Sequence, residues 1–137
     1  MGILSDFFVA DPERAKAIKN VSELPSNCYA MYKGFTELEL GFLWQIHDNK
    51  PLDFDPSLGF QLISEAEETF TTEFPPEFTN ILSNLNDDAI PNLAIKWAAC
   101  EELSCDGKDL IPVIEDLRRL AQLANAKNRR LYLWNST

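Results

Sequence analysis

The residues able to do chemistry in this 137-residue chain are few and scattered. His47 is the single histidine. An imidazole can serve as general base or metal ligand, but one histidine excludes a multi-histidine metal site. At a helix end its charge also suits the C-terminal dipole. Cys100, Glu101, Glu102, Cys105 and Asp106 put two thiols and three carboxylates within seven residues. Structural zinc needs two short-spaced knuckles, and this one C-x₄-C has no second. A thiol nucleophile needs a base and an orienting group, and His47 is the base on offer. None of the five glycines pairs with another at phosphate-loop spacing, there is no G-x-S-x-G, and Asp53-x-Asp55 lacks the rest of a calcium loop. No metal and no cofactor are expected, and no catalytic residue is assigned. An enzyme is left open but disfavoured.

The carboxylates carry the strongest signal, through their distribution. Residues 36–88 hold twelve Asp or Glu against one Lys, Lys50. Residues 1–35 balance at four acids and four bases, and residues 89–137 carry six acids against seven bases. The chain's net charge of −10 therefore resides in its middle. Gathered on one side of a fold, such charge attracts basic partners and repels nucleic acid and anionic membranes. Asp53, Asp55, Glu65, Glu67, Glu68 and Glu73 form the expected steering face. Its plainest reading is a solvated surface; the functional one is a docking site for a basic protein. Charge mostly sets on-rate, so apolar anchors must supply affinity, with Trp44 and Phe54 as candidates. Arg118, Arg119, Lys127, Arg129 and Arg130 form a small basic patch late in the chain, a second site for contact between copies.

The elements that must position these residues follow from periodicity and punctuation. Ile3–Ala10 is apolar and aromatic and reads as a buried strand. Asp11-Pro12 caps and opens a short helix to about Lys19. Cys28–Tyr32 is a second strand. Thr36 and Glu39 make a capping box, with Phe35 and Leu40 as its hydrophobic staple. Leu40, Leu43, Trp44 and His47 then share a helical face as far as Asp48-Asn49, before Pro51. Asp55-Pro56 could start a helix reaching Glu68. Phe70, Thr72 and Phe74 alternate as a strand with one buried face. Pro75-Pro76 precedes a helix over 77–85. Asp87 or Asp88 caps a helix bearing Ile90, Leu93, Ala94, Trp97 and Cys100. Asp109 caps a long helix striped by Leu110, Ile114, Leu117, Ala121 and Ala124. Leu131–Trp134 closes as a strand. Pairing the two terminal strands gives an α+β, mostly helical single domain spanning 1–137, with about five helices packed on a small sheet.

No stretch is apolar enough to span a membrane, and the N-terminus lacks a signal-like pattern, so a cytoplasmic location is expected. Three cysteines in such a setting are expected as free thiols. The Ser5-Asp6-Phe7-Phe8-Val9-Ala10-Asp11-Pro12 turn, Lys33-Gly34-Phe35-Thr36 leading to Leu43-Trp44, Trp97-Ala98-Ala99-Cys100-Glu101-Glu102 and the closing Leu131-Tyr132-Leu133-Trp134 together resemble a group of small acidic bacterial proteins with no assigned activity. That resemblance implies a bacterial cytoplasmic single domain and supplies no catalytic residues. The leading expectation is a non-enzymatic acidic module engaging a basic protein, as an immunity-type or regulatory inhibitor does. The alternative is a small ligand-binding protein or enzyme using His47 with Cys100 or Glu101 around a pocket lined by Trp44 and Trp97. A homo-oligomer joined through apolar surface left by the C-terminal strand is the third reading.

Overall fold

β1 (Leu4–Ala10) and β5 (Arg130–Ser136) lie at the centre of one antiparallel sheet, in full register from Leu4 opposite Ser136 to Ala10 opposite Arg130. β2 (Tyr29–Lys33) flanks β1. β4 (Thr69–Glu73) flanks β5, and β3 (Gln61–Glu65) closes the other edge, giving the order β2-β1-β5-β4-β3. The helices are α1 (Pro12–Ala17), α2 (Glu37–Asp48), α3 (Pro76–Ser83), α4 (Ile90–Ala98) and α5 (Gly107–Ala126). The computed structural model describes residues 3–48, 59–100 and 105–136, and these form an α+β domain with its terminal strands paired, as expected. Among the described residues no helix is long and apolar enough to cross a membrane.

Strand periodicity sorts the core into two layers. Phe7, Val9, Leu131, Leu133 and Phe74 point to one face, where α2 to α5 cover them with Leu40, Phe78, Trp97, Ile114 and Leu117. Phe8, Ala10 and Tyr132 point to the other, where Ala15 of α1, Ile18 and Val21 close over them. Because both faces are covered, Thr71 and Thr72 are both buried, and β4 has two buried faces instead of the single one its alternation predicts. β5 is paired on both sides, so the free sheet edges belong to β2 and β3 and not to the C-terminal strand.

Local chemistry explains most boundaries. Asp11 accepts from the Arg14 N–H at 2.9 Å, capping α1, and Pro12 takes the first helical position. At α2 the Thr36 N–H donates to Glu39 Oε1 at 2.8 Å, and Thr36 Oγ1 accepts from the Leu38 N–H at 3.2 Å. α4 departs from expectation. Its cap is Ala89 with no side-chain bond, and Asp87 instead pairs with Arg118 at 2.6 Å. Cys100 lies beyond the helix end. α5 starts two residues before Asp109, at Gly107. Where a helix to Glu68 was expected, residues 61–65 form β3, because Leu62 and Ser64 pair with Thr72 and Thr71 across a bulge. Glu65 and Glu68 would be like-charged neighbours on a helix, whereas a hairpin turn leaves them in water.

Candidate functional site

The acidic cluster is divided by the hairpin. Glu65, Glu67 and Glu68 are exposed at the turn joining β3 to β4, which is closed by an Ala66 N–H to Thr69 carbonyl bond of 2.9 Å. Glu73 stands at the opposite end of β4, opposite Gln61, and points to the sheet face that carries Tyr132. Five residues of strand separate it from Glu68, roughly 16 Å. Its carboxylate lies beside the buried Tyr132 hydroxyl, whose pKa is pushed up to about 12 by burial first and by Glu73 second. Asp53, Phe54 and Asp55 lie outside the described residues, as does Glu101. From residue 51 to residue 95 the sequence contains no Lys or Arg, so the hairpin end has no cation of its own nearby in the chain.

The hairpin also forms one wall of a groove of 570 Å³ on the helical face of the sheet. Its lining combines Phe60, Leu62 and Phe70 from the hairpin side with Thr36, Glu37 and Leu38 at the start of α2, and includes Asn135. Of the five large apolar residues exposed among the described residues, two line it: Leu38 at 39% and Leu62 at 55%. Asn135 is 3% exposed. Its Nδ2 donates to the Phe35 carbonyl at 2.9 Å and the Leu4 carbonyl at 3.1 Å. Two carbonyls can face only the nitrogen end of an amide, so the side chain's orientation is fixed and Oδ1 is left without a bond among the described residues. Ser5 locks the same corner, its Oγ accepting from the Phe35 N–H and donating to the Phe35 carbonyl, both at 2.8 Å. Neither Asn135 nor Leu62 is marked by the sequence, because Asn135 pairs with strands over 60 residues away and meets Leu62 only through the folded sheet.

The other candidates are dispersed. Trp44 is half-buried and stacked on Phe78, with ring centroids 5.3 Å apart. Trp97 is 0% exposed, and its Nε1–H donates to the Glu39 carbonyl at 2.9 Å, so it is core and ties α4 to α2. His47 is on the exposed side of the α2 C-terminus, with Nδ1 2.9 Å from Asp48 Oδ1. Cys28, Cys100 and Cys105 are free thiols, and the Cys105 thiol is held up by burial and then by the charges of Asp109 and Asp106. Among the described residues no three His, Cys, Asp or Glu side chains gather as a metal site would require.

Comparison with known proteins returns no matching family model, no matching curated protein and no matching solved structure.

Proposed function

We propose that this protein is a non-enzymatic binding module, cytoplasmic and of the immunity or regulatory-inhibitor kind, whose acidic hairpin end engages a basic surface on a partner protein. The observation that carries this reading is the exposed turn bearing Glu65, Glu67 and Glu68, in a stretch with no basic residue from 51 to 95. Glu65 and Glu67 hold no ion pair among the described residues. Glu65 and Glu67, without an ion pair among the described residues, raise the local concentration of a cationic partner and speed encounter. Solubility alone would be served equally well by acids spread evenly over the surface.

The test is capture of partners from a lysate by the wild-type chain and by a variant carrying Glu65→Gln, Glu67→Gln and Glu68→Gln. All three side chains are exposed, so the fold is expected to survive. The expected result is a basic protein retained by wild type at about 0.05 M salt, released at about 0.5 M where screening is severalfold stronger, and lost from the variant at either salt. Equal retention by both chains would defeat the reading.

A further inference from the structure

The hairpin carries more than charge. In the antiparallel pairing Glu65 lies directly opposite Phe70, so both point to the same sheet face, and Phe70 lines the groove. Glu37 lines it from the other side, in the first turn of α2. One carboxylate thus lines a hollow whose walls include Ile3, Leu38, Phe60, Leu62 and Phe70, and a second, Glu65, stands on the same sheet face across from Phe70. Among the described residues no basic side chain lines the hollow. At its base Asn135 offers Oδ1, an acceptor on a 3%-exposed side chain whose two donors are already spent. Its oxygen, with no hydrogen-bond partner among the described residues, is left to accept from a ligand donor. A volume of 570 Å³ admits one or two large side chains and is within the usual range of ligand pockets.

We infer that this groove is the anchoring site of the docking surface, and that its occupant is a basic, apolar segment of the partner protein. An aliphatic or aromatic side chain of that segment would pack against Leu38, Leu62 and Phe70. A flanking Lys or Arg would lie between Glu37 and Glu65, and an N–H of the segment would donate to Asn135 Oδ1. Charge complementarity selects this occupant. An acidic peptide or a phosphate-bearing ligand would meet only carboxylates and acceptors, and a purely apolar one would leave Asn135 and both carboxylates unanswered. The inference rests on the docking reading above, and the experiment separates the two.

Two capped six-residue peptides of equal charge serve as probes, one alternating Lys with Leu and the other alternating Lys with Ser. Binding is measured by NMR titration of the isotope-labelled chain at about 0.05 M salt. Binding of the Lys–Ser peptide reads the acidic end alone; the difference between the peptides reads the groove. The Lys–Leu peptide is expected to bind at least about tenfold tighter, since it buries one or more leucine side chains. It should shift the Asn135 side-chain amide together with Leu62 and Phe70. Leu62→Ser, at a half-exposed position that folding does not need, should bring the two peptides to equal affinity. Ile95→Ser, at a more exposed position on α4 outside the groove lining, should change nothing. Equal affinity for both peptides on the wild-type chain would overturn the groove and leave the acidic end standing. So would Lys–Leu shifts that avoid Asn135 or persist unchanged in Leu62→Ser. If neither peptide binds, both the groove and the electrostatic reading fall.

Discussion

Asp6 stands on β1 with Met31 opposite it on β2 and Trp134 opposite it on β5. It is 3% exposed, and burial pushes its carboxyl up from 3.8 to about 6. The sign of the linkage follows from which state holds the proton. Below pH 3.8 folded and unfolded chains both carry it, and the residue costs nothing. Between 3.8 and about 6 the unfolded chain has lost its proton while the folded chain keeps it, so stability falls as pH rises. Above about 6 the loss is constant, about 3 kcal/mol. Asp6→Asn removes the charge while keeping the shape. It is expected to be more stable than wild type at pH 7 by up to about 3 kcal/mol, with the advantage vanishing near pH 3.5. Urea unfolding of both chains across that pH range checks it, and a gap that does not depend on pH would refute it. In the sequence Asp6 is one acid within an apolar run. That it is buried from both sides depends on strands β2 and β5, the latter more than 120 residues away.

At the scale of elements, the turn from α5 into β5 decides whether the terminal strands meet in register. Asn128 follows the helix with φ of 54°, and the Arg129 N–H reaches back to the Ala124 carbonyl at 2.8 Å. This is the left-handed ending that suits Gly or Asn and penalises a branched side chain. Asn128→Val is expected to cost about 1–2 kcal/mol, while Asn128→Gly should match or slightly exceed wild type, both read by chemical denaturation. The stripe of α5 is legible without a structure: Leu110, Ile114, Leu117, Ala121 and Ala124 recur at helical spacing, and all are buried. The first cap is equally legible, because Asp11-Pro12 carries its own signal. β3 is not. Its residues become a strand only because β4 lies beside them, and an edge strand with Leu62 half-exposed lacks a clean alternation. The Asp55-Pro56 start signal suggests a helix there, and the pairing with β4 overrides it for residues 61–65.

For the whole molecule, the centre strand sets the axis of the charge. Arg129 and Arg130 lie at the start of β5, while its last residue, Ser136, pairs with Thr69 beside the acidic turn. Six residues of strand, roughly 20 Å, separate the two ends. That exceeds the Debye length of about 10 Å at 0.1 M salt, so each end presents its own field to a partner. Position should therefore matter more than net charge. Arg129→Gln with Arg130→Gln makes the chain more acidic, yet at 0.1 M salt it should leave affinity for the Lys–Ser peptide within about twofold of wild type. Neutralising Glu65, Glu67 and Glu68 should lower that affinity at least about tenfold. Equal responses from the two ends would mean that only total charge counts.

Periodicity, capping residues and the pairing of terminal apolar runs were enough to determine the α+β class, all five helices to within a few residues and the joining of N- and C-terminal strands, because these depend on local spacing and on which runs are apolar on both sides. The charge asymmetry was also present in the sequence, since charge is counted and needs no fold. Tertiary structure alone decided that Trp97 is core, that Glu73 stands apart from Glu65, Glu67 and Glu68, and that Asn135, Leu38, Leu62 and Phe70 meet in one groove. The core position of Trp97 and the groove join residues tens of positions apart, the separation of Glu73 follows from the β3–β4 pairing, and no local preference encodes which strand a residue will face.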